Sequence, residues 1–265
     1  MSLYKNRIVV KVGTSTLTNE NGKPDLRTFD RLARVLTDVK DRGYEVILVS
    51  SGAIAVGACT MNLAERPTST RGKQAAAAVG QCSIMKLYSK FFGEYGATVA
   101  QILLTSEDVG NERRRENLIN TFDTLLENGI VPIVNANDSV CSEEIVTEEK
   151  YFGDNDTLSA VVAKLVGASK LIILSDVNGL YDSDPHKTPD AKIVPVVEKI
   201  DETVFSRAGG AGSKRGTGGM ITKLKAAARA TEAGADVVIT YGKTPENVYD
   251  AVDGKPVGTL FKSRI

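Results

Sequence analysis

Two lysines stand where phosphate chemistry would need them. Lys11 ends an apolar run, NRIVVKV (6–12), and Lys223 lies one turn inside a helical pattern opened by three glycines, GTGGMITK (216–223). Glycines ahead of a helix let backbone N–H groups approach an anion, and the helix dipole favours negative charge there. Phosphoryl transfer rests on positioning and on neutralising the charge spread over the transferred oxygens. Ammonium groups on opposite sides of an in-line path would supply both. Each feature has a plain alternative: Lys11 can snorkel out of a buried strand, Lys223 can be a solvated helix residue, and a Gly-rich turn can simply start a helix. In YFGDNDTLSA (151–160), Asp156 could orient the lysines and Asn155 could bind substrate, or Asp154, Asn155 and Asp156 could only cap the next helix. In VNANDSV (134–140), Asp138 lies past a strand end, where it could hold an ammonium group or close an Asx turn.

The single histidine, His186, sits in the polar stretch DSDPHKT and assembles no Ser/His/Asp or Cys/His set. A kinase acting on an alcohol benefits from a base that takes the hydroxyl proton. A carboxylate acceptor is already ionised at neutral pH, so these residues suit a carboxylate somewhat better, although an Asp could serve as base. No GxGxxG follows the first strand, which disfavours a nicotinamide enzyme. Gly242-Lys243-Thr244 lacks the first glycine of a P-loop, which would fall on Val237, and reads as a loop before a helix begun by Pro245.

The elements that must hold these residues alternate along the chain. Strand-like runs fall at 6–12, 45–50, 97–105, 130–135, 170–175 and 236–241, with helical patterns at 72–92, 111–128, 156–168 and 220–233. A further helix is capped by Asp25, carries Phe29, Leu32, Ala33, Leu36 and Val39 on one face, and ends at Gly43. Residues 13–24 read as a loop, and 141–153 and 181–192 as flaps or hairpins. Continuous Val/Ile/Leu strands between helices indicate an α/β fold whose mainly parallel sheet is covered on both faces. Ligands of such sheets bind beyond the carboxyl ends of the strands. Polar clusters stand at four of those ends: Lys11 to Ser15, Ser50-Ser51-Gly52, Asn135 to Asp138, and Ser175-Asp176.

At 265 residues, with 33 basic and 33 acidic side chains, the chain fits one large domain and shows no overall field for nucleic acid or an anionic membrane. Aromatics at 6% and no Trp disfavour a base-stacking platform. Cys59, Cys82 and Cys141 are odd in number and lack zinc spacing, which points to a reducing compartment. Neither a signal-peptide core nor an apolar run near the roughly 20 residues of a membrane span is present, so a cytoplasmic location is expected.

Together KVGTSTL (11–17), SSGAIAVG (50–57), VNANDSV (134–140), FGDNDTLSA (152–160), SDVNGLYDSDP (175–185) and GTGGMITK (216–223) resemble the amino acid kinase family, and within it the glutamate 5-kinase branch. They occur in the family's order over nearly the whole chain. The resemblance implies an αβα three-layer sandwich around a mostly parallel eight-stranded sheet. Implied too is ATP-dependent phosphorylation of the γ-carboxylate of L-glutamate, the first step of proline synthesis. Lys11 and Lys223 would stabilise the phosphoryl group in transfer, and Asp156 would organise them. Ser51, Gly52, Asp138 and Asn155 would bind glutamate, with Asp138 taking the α-ammonium. Gly13, Ser175, Asp176, Tyr181 and the run Thr217, Gly218, Gly219, Met220, Ile221, Thr222, Lys223 would contact the nucleotide, as would Lys11. Mg²⁺ would ride mainly on ATP, with no protein metal site. By the same resemblance, residues up to about 168 bind glutamate and those from about 169 bind ATP within one kinase domain. A homo-oligomer, dimer or tetramer, and feedback inhibition by proline are also implied. Many members add a C-terminal PUA domain, which is not expected here because the chain stops at GTLFKSRI. Ala136 stands in NAND where the family commonly has NEND, and Thr14 replaces the second glycine of the KxGG found in relatives. Two other readings stay open: a different amino acid kinase, and a catalytically silent amino-acid sensor, against which the two lysines argue.

Overall fold

Apolar strands that are buried on both faces need helices above and below them, and the chain supplies both layers. The computed structural model describes residues 4–140, 154–184, 188, 190–207 and 219–264. The N-terminal part runs β1 (Tyr4–Val12), α1 (Thr14–Leu17), α2 (Leu26–Asp41), β2 (Glu45–Ser50), α3 (Ala53–Thr60), α4 (Thr70–Glu94) and β3 (Val99–Leu104). It continues with α5 (Ser106–Gly110), α6 (Glu112–Glu127), β4 (Val131–Ala136), α7 (Asn155–Leu165) and β5 (Ala168–Ser175). The chain closes with β6 (Val196–Val197), α8 (Glu202–Arg207), α9 (Met220–Glu232), β7 (Asp236–Tyr241), α10 (Asn247–Val252) and β8 (Thr259–Phe261). The strands form one eight-stranded sheet in the order β3-β4-β2-β1-β5-β7-β8-β6. Every pairing is parallel except β7 with β8. This is the expected three-layer sandwich with a mainly parallel sheet.

Alternation along β1 sorts its side chains between the layers. Ile8, Val10 and Val12 enter the core shared with Phe29, Leu32, Leu36 and Tyr88, while Val9 enters the core shared with Leu158, Leu224 and Ala227. Arg7 and Lys11 follow the parity of Val9, so Lys11 faces α7 and α9. The apolar stripe expected on α2 is buried in full, with Phe29, Leu32, Ala33, Leu36 and Val39 all at 0% exposure. Each of its large side chains stabilises the fold by about 1.5–3 kcal/mol. Asp25 caps the helix, accepting from the Thr28 N–H at 3.1 Å.

Several boundaries differ from the sequence expectation, each for a local reason. The stretch 13–24 is not all loop: α1 forms one turn whose Thr16 carbonyl accepts from Lys243 Nζ at 2.9 Å, a tertiary contact that no local pattern announces. The helix expected at 72–92 begins at Thr70 because Ser69 caps it, accepting from the Gly72 N–H. The helix expected at 156–168 stops at Leu165, since Ala168 already pairs with Tyr4 in the sheet. Strand 97–105 shortens to Val99–Leu104 because Thr105 forms a capping box with Asp108. The helix expected from Pro245 starts at Asn247. β6, β8 and α8 are too short to show a period and were not expected. Tyr181 bridges Ile193 and the Asp182 N–H donates to the Lys192 carbonyl, so the two ends of the excursion expected at 181–192 lie side by side. The expected flap at 141–153, together with Cys141, His186, Lys214 and Arg215, lies outside the described residues. Among the described residues no helix is long and apolar enough to cross a membrane, and Cys59 and Cys82 are free.

Candidate active site

At the carboxyl ends of β1, β2, β4 and β5 lies a cavity of about 280 Å³ whose walls are largely polar. Its floor is an ion cluster. Lys11 Nζ lies 2.6 Å from Asp156 Oδ1, and Lys223 Nζ lies 3.2 Å from Asp156 Oδ2. All three side chains are less than a tenth exposed. Thr222 Oγ1 is 3.1 Å from the same Oδ2 and 2.8 Å from the Gly219 carbonyl. Burial pushes the Asp156 carboxyl up, but Lys11 and Lys223 outweigh burial and hold it below its ordinary value of 3.8. Two cations thus share one carboxylate in a place where charge is costly to bury unpaired. Both ammonium groups border the cavity, so an anion there would meet them.

The cluster arises from three elements meeting. Lys11 is delivered by the parity of β1, Asp156 by the first turn of α7, and Lys223 by the first turn of α9, which packs against α7. Asp154 fixes the start of α7 by accepting from the Thr157 N–H at 2.8 Å. The capping reading therefore holds for Asp154, and it frees the next two residues to point elsewhere. Asn155 Nδ2 lies 3.0 Å from the Ser50 carbonyl, 2.9 Å from Ser51 Oγ and 3.1 Å from Asn135 Oδ1. Asn135 Nδ2 donates to buried Gln81 Oε1 at 3.0 Å. An amide network thus ties β2, β4, α4 and α7 together beneath the cavity.

Gly52 turns the chain from β2 into α3 at φ 96°, a left-handed conformation that side chains other than glycine's resist. α3 then crosses α4 so closely that a Cβ on Gly57 would sit 1.7 Å from the Ala76 carbonyl oxygen, and one on Gly80 would sit 1.8 Å from that of Ala53. This crossing sets where Ser51 and Gly52 stand. Asp138 lies beyond β4 in the cavity wall. Its carboxyl is pushed up by burial, a rise that the charge of Arg66 partly offsets.

Of the residues singled out from sequence, the cavity brings together Lys11, Gly13, Ser51, Gly52, Asp138, Asn155, Ser175, Asp176, Asp156 and Lys223. Ser175 Oγ donates to Asp176 Oδ1 at 3.1 Å. Gly219 caps α9, and Met220 packs on the core beside it. Ile221 is 43% exposed, and Tyr181 is half-buried at the start of its excursion; neither lines this cavity. Thr217 and Gly218 lie outside the described residues. Sequence reasoning passed over Arg66, Lys73 and Gln81. Arg66 comes from the α3–α4 connection and Lys73 from the first turn of α4, where charge ordinarily means solvent. Gln81, midway along α4, had one weak signal: a polar side chain between the apolar Ala77 and Ile84.

Such a site suits an anionic group passing between two bound molecules. The profile of the amino acid kinase family matches residues 6–241. The glutamate 5-kinase of Clostridium perfringens (strain 13 / Type A) is 53% identical over 97% of this chain and 96% of its own. That of Listeria innocua serovar 6a is 52% identical over 97% of this chain and 93% of its own. In fold the chain is similar to carbamate kinase from Giardia lamblia bound to AMP-PNP, with a TM-score of 0.69, 17% identity and coverage of 97% of this chain and 98% of that one. A match of this length, together with the shared sandwich, means that the chain belongs to the amino acid kinase family.

Proposed function

We infer that this chain is a glutamate 5-kinase, transferring the γ-phosphoryl group of ATP to the γ-carboxylate of L-glutamate and so opening proline synthesis. The observation that carries the chemistry is the buried Lys11–Asp156–Lys223 cluster, with one carboxylate for two ammonium groups. The substrate assignment rests on relatives at 52–53% identity over 97% of the chain. In the transfer, a γ-carboxylate oxygen forms a bond to the γ-phosphorus while the bond to the β,γ-bridging oxygen breaks, and ADP leaves with that electron pair. The acceptor is already anionic, so no side chain has to take a proton. Lys11 and Lys223 neutralise charge that builds on the phosphoryl oxygens, and Asp156 holds the two ammonium groups apart and aimed.

In this reading Ser51, Gly52, Asn155 and Asp138 hold glutamate, with Asp138 facing its ammonium group. Gly13, Ser175, Asp176, Tyr181 and the segment from Thr217 to Thr222 hold the nucleotide. Lys11 and Gly13 apart, residues to about 168 serve glutamate, and those from about 169 serve ATP. Among the described residues no three His, Cys, Asp or Glu side chains gather as a metal cage. The carboxylates of the cavity, Asp138, Asp154, Asp156 and Asp176, stand among amides, hydroxyls and ammonium groups without forming such a cage, which fits a Mg²⁺ held chiefly by ATP oxygens and water. When bound, that ion would add charge neutralisation at the phosphates. Proline feedback and homo-oligomeric assembly belong to the same reading. The test is incubation with ATP, Mg²⁺, hydroxylamine and each of glutamate, aspartate and N-acetylglutamate. Hydroxamate is expected from glutamate; activity with either of the others but not with glutamate would overturn the assignment.

A further inference from the structure

The cavity wall carries a second charge pair that the reading above leaves unused. Asp138 lines the cavity together with Arg66. Asp138 is largely buried, and Arg66 is the charge that acts on it. Among the described residues, however, no direct ion pair joins Arg66 to Asp138, although both border the same space. An arginine whose only task was to neutralise that carboxylate would close on it, because a direct charge-assisted bond is stronger than a separated pair. A guanidinium and a carboxylate that border one cavity without bonding each other match the two charges of a zwitterion, whose carboxylate answers the first and whose ammonium group answers the second. The cavity therefore holds two groups of charge: lysines around Asp156 for the reacting group, and Asp138 with Arg66 for the part of the acceptor that does not react.

We propose that Arg66 is a substrate-binding residue that selects acceptors with a free α-carboxylate, pairing its guanidinium with that group while Asp138 holds the neighbouring ammonium. The proposal rests on the glutamate-kinase reading and adds to it the specificity for the unreactive carboxylate. Planar bidentate recognition of carboxylates is what arginine does better than lysine. Position also fits: Arg66 lies on the connection between α3, which begins beside Ser51 and Gly52, and α4, which carries Gln81 under the amide network. Arg66 is an exposed residue, so its replacement leaves the packed core intact.

The test crosses two acceptors with three proteins. The acceptors are L-glutamate and its α-carboxamide, L-isoglutamine, which keeps the reacting γ-carboxylate; the proteins are wild type, Arg66→Ala and Arg66→Lys. With glutamate, Arg66→Ala is expected to raise KM for glutamate about tenfold or more, the scale of one lost charge-assisted hydrogen bond, without a matching rise in KM for ATP. Arg66→Lys should recover part of the loss. The wild type should use the carboxamide poorly, and Arg66→Ala should use it no worse than the wild type does. Unchanged KM for glutamate in Arg66→Ala, or an equal loss with both acceptors, would overturn the proposal while leaving the glutamate reading intact. A wild type that phosphorylates neither acceptor would overturn both.

Discussion

Strand β1 carries two buried cations four residues apart, and their surroundings differ. Near its start, Arg7 donates from Nε to Glu45 at 2.6 Å and from Nη1 to Asp123 and the Val166 carbonyl, both at 2.8 Å. There one cation meets two carboxylates, each about a third exposed and able to reach water. At the other end, Lys11 and Lys223 share a single carboxylate, and all three are buried. Arg7 thus belongs to a group whose surplus charge is negative and solvated. The lysine group is buried and borders a cavity. A buried cation turned toward protein partners away from the cavity is architecture; buried ammonium groups on a cavity wall are placed to meet an anion that enters it. Residue type does not separate the two ends, but what each cation faces does.

The sharpest way to break this contrast is to remove the carboxylate from the lysine cluster. Asp156→Asn leaves two buried ammonium groups facing each other, so stability should fall by about 3–5 kcal/mol in urea unfolding. Turnover in the same variant should drop at least about 100-fold. At the other end, Arg7→Met keeps the volume and removes the charge. It should cost about 3 kcal/mol of stability because the Val166 carbonyl and both carboxylates lose their donor, while kcat of the folded fraction stays within about twofold of wild type. A large loss of kcat without unfolding would erase the distinction between the ends.

A smaller effect separates Asp138 from Asp156 by pH. The Asp138 carboxyl lies above 3.8 in the folded chain because burial disfavours its charge, so it takes up a proton as pH falls toward 3.8. Affinity for glutamate should weaken in that range more steeply in wild type than in Asp138→Asn, which allows for glutamate's own titration. Its raised value also means that its share of stability declines as pH rises through that window. The Asp156 carboxyl lies below 3.8, so its contribution is complete above 3.8 and is lost only as pH falls from 3.8 through its lowered value. KM for glutamate should therefore rise on acidification before the Asp156 contribution to stability is lost. The reverse order would contradict the assigned environments.

Much of this was legible beforehand, because the sheet and the site share a cause. Val/Ile/Leu runs at 6–12, 45–50 and 170–175 can be buried only inside a two-faced parallel sheet, and such sheets place polar residues at their carboxyl ends. Lys11, Ser51, Asp138 and Ser175 could be picked out on that ground, and Asp156 and Lys223 from the helix starts beside them. What escaped depends on contacts made at long range. α1 is held partly by Lys243, more than two hundred residues away, so 13–24 looked like loop. Arg66 and Lys73 resemble ordinary solvated charges until the α3–α4 crossing, made possible by Gly57 and Gly80, swings them to the cavity rim. Gln81 shows its place only when Asn135 is seen to donate to it.

The central claim is that the positive charge of Lys11 and Lys223, held in place by Asp156, is what moves the phosphoryl group. Lys223→Met tests it most directly, since methionine fills a similar volume, removes the ammonium group, and leaves Lys11 paired with Asp156. With folding verified by urea unfolding, kcat for γ-glutamyl hydroxamate formation should be measured at saturating ATP and glutamate. The account predicts a fall of about 100- to 1,000-fold, the scale of a lost oxyanion donor, with stability within about 2 kcal/mol of wild type. Turnover within a few-fold of wild type in the folded variant would contradict it.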